Sequence, residues 1–319
     1  MTFTRPHILF LLTVCAAWAG CKPGVGQPPY LITDYALLAV HGEPAEAKPG
    51  ASVTYSFLLA SPTGPVDSPE VLWDICQTPK PPSESNAVAS ACAGMPDAGV
   101  GEAGQTFTAA IPTKACQLFG PIAPPPAAGQ PAIRPRDPDS TGGYYLPVQL
   151  WLPNLPTGAL SGFSFERIFC GLANAPSLWV QQYNSTYQSN LDPGIDHTDL
   201  VDAAGTTRLS LDAGPQNVAA GAVVNVEATF ADGSAEVFPV YDPQSETLVD
   251  QQESLHVSWF VTGGTFQHDR TGVAVGEVAV STSNQWTAPA QPGDHFLWIV
   301  LRDSRGGTDY KSYSVHVGS

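Results

Sequence analysis

The chain has 319 residues and a formal net charge of −16, with 13 Lys and Arg against 29 Asp and Glu. A charge of this sign argues against a nucleic-acid partner, because phosphate contacts need clustered cations. Hydrophobic residues make up 43% of the chain, enough to bury a core, while 30 glycines and 31 prolines are too frequent for a helical bundle. This composition is typical of short strands joined by turns.

Residues 1–20 predict an export signal. Arg5 precedes an apolar run from Ile8 to Ala19, which is too short to span a bilayer core of about 30 Å. The following stretch, Ala17-Trp18-Ala19-Gly20-Cys21, resembles the lipobox of bacterial lipoproteins, although Trp18 stands where that family usually has Leu. The resemblance implies cleavage before Cys21 and attachment of lipid, including palmitate, to this cysteine.

Cysteine parity favours the lipoprotein interpretation over an ordinary cut after Ala19. Cys15 leaves with the signal, and a lipidated Cys21 leaves an even set of four for two disulfides in an oxidising compartment. Residues 21–30 then form a tether. By the same resemblance, Lys22 after the lipid cysteine implies the outer membrane or cell surface; the alternative is a periplasmic or secreted protein.

Two halves of the chain share one order of predicted strands. Each half has a turn glycine followed by alternating apolar residues, then a Trp-centred strand, a glycine-led strand and a final strand. In the first half these are Gly50–Phe57, Val71–Ile75, Gly143–Leu150 and Phe163–Cys170. In the second half they are Gly221–Ala228, Val257–Val261, Gly293–Val300 and Tyr310–Val317.

This order predicts an all-β fold of two tandem immunoglobulin-like β-sandwiches. We expect the first domain at residues 31–190, an acidic linker at 191–206 and the second domain at 207–319. Trp286-Thr-Ala-Pro289, Pro292-Gly293 and the segment from Arg302 to Gly307 resemble the end of bacterial immunoglobulin-like and PKD-type domains, although the Asp-Phe-Gly-Asp-Gly segment of PKD domains is missing. The resemblance implies an extracellular spacer or adhesion module.

The first domain carries a long Pro-rich insertion at residues 77–142, with twelve prolines and no periodicity. Four cysteines allow three connectivities. We favour Cys76–Cys92 with Cys116–Cys170, which pins the insertion to the sandwich at both ends. The competing pattern is Cys76–Cys170 with Cys92–Cys116.

One short helix is expected from Ala175 to Asn184, because Pro176 suits a first helical turn. Trp179, Tyr183 and Tyr187 fall on one face of it at four-residue spacing. The helix is expected to cap the first sandwich, while an aromatic platform for a sugar is the alternative.

The sequence contains no strong catalytic or cofactor signature: G-x-S-x-G, H-E-x-x-H, G-K-[ST] and C-x-x-C are all missing. We therefore expect no enzyme activity, no cofactor and no dedicated metal site. Asp192, Asp196, Asp199 and Asp202 are calcium candidates without a recognised motif, and such carboxylates often stay solvated. Arg134 and Arg136 are candidates for an acidic group of a partner, although they could pair with neighbouring aspartates.

These observations predict a non-catalytic, lipid-anchored envelope protein that binds, adheres or assists envelope assembly. Its expected partners are the membrane, through the lipid, and an envelope protein or glycan. In a β-sandwich, recognition generally lies on the loops, so the insertion and the face near Trp179 are the first places to examine. The alternatives are a hydrolase with an unrecognised site in the first domain and a passive structural spacer.

Overall fold

In the described part of the chain, the first sandwich consists of two sheets of four strands each. The computed structural model describes residues 26–66, 69–81, 83–96, 106–121, 125, 128–129, 141–173 and 175–318. Sheet 1 consists of β1 (Ala36–Glu43), β3 (Ser52–Ser61), β4 (Gly64–Pro65) and β6 (Thr106–Ala110). Sheet 2 has the order β2 (Glu46–Ala47), β8 (Leu160–Phe169), β7 (Gly143–Leu152) and β5 (Leu72–Ile75).

The second sandwich has two five-stranded sheets and an added hairpin. Sheet 3 has the order β11 (Gln216–Ala219), β20 (Thr308–Gly318), β19 (Gly293–Asp303), β15 (Leu255–Val261) and β17 (Arg270–Val273). Sheet 4 has the order β10 (Arg208–Ser210), β9 (Ile195–Asp202), β12 (Val223–Phe230), β18 (Ser281–Thr287) and β16 (Thr265–Phe266). The hairpin pairs β13 (Val237–Asp242) with β14 (Thr247–Gln252).

The helical content of the described residues is small. It consists of α1 (Ala115–Phe119), α2 (Ser177–Thr186) and single 3-10 turns at Ser90–Cys92 and Leu211–Ala213. None of these helices combines the length and apolar character needed to cross a membrane. The fold is therefore all-β, with two immunoglobulin-like sandwiches, as predicted.

The strands predicted from turn glycines and alternating apolar residues are all present, as β3, β5, β7 and β8 in the first half and β12, β15, β19 and β20 in the second. The two Trp-centred strands place Trp73 and Trp259 in the separate cores of the two sandwiches, and both side chains are fully buried. Alternating apolar residues reach the core in this way because every second side chain of a half-buried strand points into it.

The two sandwiches stack on each other through the outer faces of sheet 1 and sheet 3. Leu38, Leu58 and Ala60 from sheet 1 form one apolar cluster with Trp298 and Val300 from sheet 3. Trp298 and Val300 have no exposed surface, although they point away from the core of their own sandwich. The molecule is thus four sheets deep, in the order 2, 1, 3, 4.

Two expected boundaries are wrong, and the insertion contains regular structure. Residues 195–202 of the expected linker form β9, which pairs with both β10 and β12; Thr198 and Leu200 face inward there, and the intervening charges hide the alternation. The insertion is not free of regular structure, because β6 adds to β3 and buries Phe107 in the core. The tether does not extend to residue 30, because Tyr30 is buried in the second sandwich.

The segment that precedes β1 is therefore bound to the second sandwich before the chain enters the first. The backbone N–H of Ile32 donates to the carbonyl of Val261 at 2.9 Å, and the N–H of Val261 donates to Tyr30 at 2.8 Å. The ring of Tyr30 meets Phe266 edge to face, with 5.9 Å between centroids.

Candidate functional site

A cleft of about 640 Å³ opens on the side of the first sandwich where β1 and β8 are the edges of their sheets. Its walls are residues 35–40 on one side and residues 160–165 on the other, and the turn between β19 and β20 contributes Gly306 and Thr308. Both sandwiches therefore form the cleft. In the described chain, β2 covers β8 only at Arg167–Ile168, so the edge from residue 160 to residue 165 has no strand beside it.

Aromatic rings and one arginine line the cleft. Phe165 is 41% exposed and Tyr145 is 37% exposed at its rim. Arg302 lines it too, and its guanidinium donates to the Leu38 carbonyl at 2.8 Å. Burial and the neighbouring charge of Arg270 lower the pKa of Arg302. Among the described residues that line the cleft there is no Asp, Glu, His or Cys that could act as a general acid or base.

Beside the cleft lies a cluster of charged side chains that joins the two sandwiches. The turn residue Arg305 is almost fully buried, with Nη2 2.8 Å from Glu236 Oε2 and Nε in contact with Glu253 Oε1. Its guanidinium also lies over the ring of Phe238, 4.5 Å from the centroid. Burial, reinforced by repulsion from Asp303, raises the pKa of Glu253 to about 7.

A second ion pair continues this cluster into the first sandwich. Arg167 Nε lies 3.5 Å from Glu46 Oε1, and both side chains are fully buried. Glu46 Oε2 accepts the N–H of Asn190 at 2.8 Å, and the Asn190 amide donates to Asp303 Oδ2 at 3.1 Å. Each ion pair lies within one sandwich, and the contacts of Asn190 with Glu46 and Asp303 connect the two pairs across the interface.

The same interface brings His41 and Asp192 together. His41 Nδ1 lies 3.6 Å from Asp192 Oδ1 and donates to the carbonyl of Thr308, whose N–H in turn donates to Asp192 Oδ1 at 2.7 Å. Burial raises the pKa of Asp192 to about 7. Burial, together with repulsion from Asp192 and Glu46, raises the pKa of Glu166 to about 9.

The other three calcium candidates do not join Asp192. Asp196 pairs with the exposed His197 at 2.7 Å, Asp199 pairs with Arg208 at 2.8 Å, and Asp202 accepts the N–H of Thr206 at 2.7 Å. Hydrogen bonds from Thr206 lower the pKa of Asp202. The structure therefore does not bring the four weak calcium candidates together, since each of these three aspartates has a different partner.

The helix α2 closes the end of the first sandwich, as expected, and the β13–β14 hairpin covers it from the other side. Tyr183 is fully buried and stacks on Tyr187, with 5.0 Å between centroids, while Phe169 stacks on Tyr187 at 4.6 Å. Tyr241 of the hairpin completes the cluster, with Trp179 half-buried against it. Tyr183 is thus a core residue, and its assignment to an exposed binding platform is wrong.

The structure links Cys76 to Cys92 and Cys116 to Cys170, which is the pairing favoured by the sequence. Cys21, Arg134 and Arg136 lie outside the described residues. Sequence reasoning missed His41, Glu43, Glu166 and the cleft, because isolated polar residues on predicted strands carry no signal of what faces them.

Comparison with known proteins adds no family: no family model matches the chain, and no curated protein matches it. Among solved structures, it is similar to the fibronectin(III)-like modules of CbhA from Clostridium thermocellum, with 11% identity over 88% of this chain and 94% of that chain and a TM-score of 0.23. The D00–D0 domain of intimin gives 8% identity over 90% and 99% of the two chains, with a TM-score of 0.22. The Yersinia pseudotuberculosis adhesin InvE gives 12% identity over 89% and 59%, with a TM-score of 0.23. The assignment of the fold therefore rests on the sheets described above.

Proposed function

We propose that this chain is a non-catalytic, lipid-anchored envelope protein that binds an extended segment of a partner protein in the cleft between β1 and β8. The observation that carries the proposal is the cleft itself, in which two open strand edges face each other beside the exposed ring of Phe165. Exposed edges offer unpaired backbone N–H and C=O groups, which an added strand can satisfy.

The shape and composition of the cleft favour a polypeptide over a small substrate. Two strand edges can pair with a backbone of any sequence, and the apolar rim can select alternate side chains of the bound segment. The described lining residues include no Asp, Glu, His or Cys. The proposal therefore puts recognition at a strand edge rather than on the insertion, parts of which lie outside the described residues.

The stacking of the sandwiches supports the same function. The floor of the cleft belongs to the second sandwich and its walls belong to the first, so the cleft exists only while the two stay in register. A preformed site binds without the entropic cost of ordering two loosely linked domains. The contacts of Arg302 with the Leu38 carbonyl and of Asn190 with Glu46 and Asp303 help to hold this register.

The anchor is the second part of the proposal. Tyr30 is fixed to the second sandwich, and Cys21 precedes it by nine residues, which span at most ~30 Å when fully extended. Lipid on Cys21 would keep the protein within that reach of the membrane surface. Several acyl chains, at about 0.8 kcal/mol per buried methylene, would hold it there permanently.

Binding is tested by affinity capture from detergent-solubilised membranes of the native cells, with the wild type, Phe165→Asp and Val278→Asp compared by quantitative mass spectrometry. Val278 is 91% exposed and does not line the cleft, so it is the matched control for adding a surface charge. Phe165→Asp should reduce recovery of a specific partner at least tenfold, and Val278→Asp should leave it unchanged. Equal recovery with all three proteins would refute the role of the cleft.

The anchor is tested separately by metabolic labelling with palmitate. Label should appear on the wild type and disappear in Cys21→Ala, which should be released from the membrane fraction. Unchanged release of an unlabelled wild-type protein would show ordinary secretion instead.

A further inference from the structure

Three side chains from two parts of the fold converge where the sandwiches meet. His41 and Glu43 lie on β1, two residues apart and on the same face, and Asp192 lies in the segment between α2 and β9. One potential ligand atom from each residue lies within 4.8 Å of the other two. We propose that His41, Glu43 and Asp192 bind a divalent transition-metal ion that links the first sandwich to the entry of the second.

An independent feature of the same place is a buried carboxylate oxygen that lacks a partner. Asp192 Oδ1 accepts the N–H of Thr308 at 2.7 Å, but its buried Oδ2 has no hydrogen-bond partner in the described part of the chain. Native proteins rarely leave buried polar atoms unpaired, and an unseen ion is one of the standard reasons.

The backbone of Thr308 orients two of the proposed ligands. Its N–H donates to Asp192 Oδ1, and its carbonyl accepts from His41 Nδ1. A ring nitrogen that donates to a backbone carbonyl in this way is usual for a metal-binding histidine, because the contact fixes the orientation of the imidazole.

The donor set selects the class of ion. Imidazole nitrogen suits Zn²⁺ and other first-row transition metals, whereas Ca²⁺ and Mg²⁺ take oxygen ligands. One imidazole with two carboxylates therefore favours Zn²⁺ or Mn²⁺ over Ca²⁺. The ion would act as a structural link, since its ligands come from elements that approach each other only when both sandwiches are folded and stacked.

The test uses the full chain without a polyhistidine tag, stripped with a chelator and then dialysed against Zn²⁺. Bound metal is measured by mass spectrometry, and affinity is measured by titration calorimetry. The wild type should bind one Zn²⁺ that is lost in His41→Gln and in Asp192→Asn, with affinity reduced at least tenfold in each. Glu43→Gln changes an exposed residue and should fold normally, so it tests the site even if a buried substitution does not fold.

The matched control is His197→Gln. His197 also lies beside two carboxylates, with Nδ1 2.7 Å from Asp196 and Nε2 3.8 Å from Asp199, but it is exposed and remote from β1 in the sheet order. The His197→Gln variant should therefore bind Zn²⁺ as tightly as the wild type. The proposal is overturned if the wild type binds no Zn²⁺, if binding is insensitive to both His41→Gln and Glu43→Gln, or if His197→Gln alone abolishes it. Binding of Ca²⁺ that is insensitive to His41→Gln, without binding of Zn²⁺, would also overturn it.

Discussion

Replacing Trp298 by Ala tests whether the two sandwiches are one folded unit. Trp298 lies on β19 beside Leu297 and Ile299, which point into the second sandwich, so its own side chain points out of it. It is nevertheless fully buried, because Leu58 and Ala60 of sheet 1 cover it. In a second sandwich standing alone, this indole would lie on the surface.

The magnitude has two parts. Truncating a buried Trp or Phe to Ala costs about 3–5 kcal/mol through lost burial and the cavity that remains. The indole Nε1 of Trp298 has no hydrogen-bond partner among the described residues, and a buried unsatisfied donor costs about 1–3 kcal/mol. Truncation removes that donor too; with its cost taken at the lower end, about 1 kcal/mol, the free energy of unfolding should fall by about 2–4 kcal/mol.

Trp298→Phe separates the two parts, since it keeps a ring in the interface and removes the N–H group. We expect the free energy of unfolding of this variant to fall by less than about 1 kcal/mol. The cost of the smaller cavity is offset because the unpaired indole N–H is no longer buried. The assay is equilibrium unfolding in urea, followed by far-UV circular dichroism so that the lost fluorophore does not affect the signal. Trp286→Ala is the control for a large truncation inside one sandwich; Trp286 is equally buried and donates to the Gly263 carbonyl at 3.1 Å.

The outcome that contradicts this reasoning is a loss below about 1 kcal/mol for Trp298→Ala while Trp286→Ala loses about 3–5 kcal/mol. Such a result would mean that water reaches Trp298 and that the sandwiches do not stack. A loss equal for Trp298→Ala and Trp298→Phe would contradict the account of the unpaired donor.

Three further predictions concern the first sandwich. The pKa of Glu166 is raised to about 9, so the folded state retains a proton that the unfolded state releases above pH 4.5. Between pH 6 and pH 8 the free energy of unfolding should therefore fall by about 3 kcal/mol more in the wild type than in Glu166→Gln, measured by urea unfolding with chelator. Equal slopes would contradict this. The Cys116–Cys170 disulfide closes a loop with a sequence separation of 54. Replacing both cysteines by Ala should lower the free energy of unfolding by about 4 kcal/mol. A loss under about 1 kcal/mol would contradict the pairing. Gly143→Ala should lower the melting temperature by several degrees, because its Cβ would lie 1.9 Å from Arg167 Cζ, and an unchanged melting temperature would contradict that close approach.

The sequence was informative wherever one face of a strand is buried. Alternating residues after Gly50 and Gly221 gave β3 and β12, because a period of two leaves few alternatives. It failed at β9, where Asp196, Asp199 and Asp202 read as a solvated linker, although Asp199 is buried beside Arg208. A charge that finds its partner on a neighbouring strand looks the same in sequence as a charge left in water.

The candidate sites were harder to predict because each one is made by distant segments. The glycine-led strand at Gly293–Val300 was predicted, but no pattern could say that sheet 1 covers its outer face. The cleft likewise depends on β1 and β8 being left as sheet edges, which is a property of topology. His41 and Asp192 likewise come into contact only when the two sandwiches are stacked.

The central claim is that the cleft holds an extended segment of a partner, and photo-crosslinking in living cells tests it most directly. A photoreactive amino acid replaces Phe165 in the cleft or Val278 at the exposed control position, and the products are mapped by mass spectrometry. The account predicts a discrete adduct from position 165, mapping to one continuous segment of a partner, and none from position 278. No adduct at position 165, or the same adducts at both positions, would contradict it.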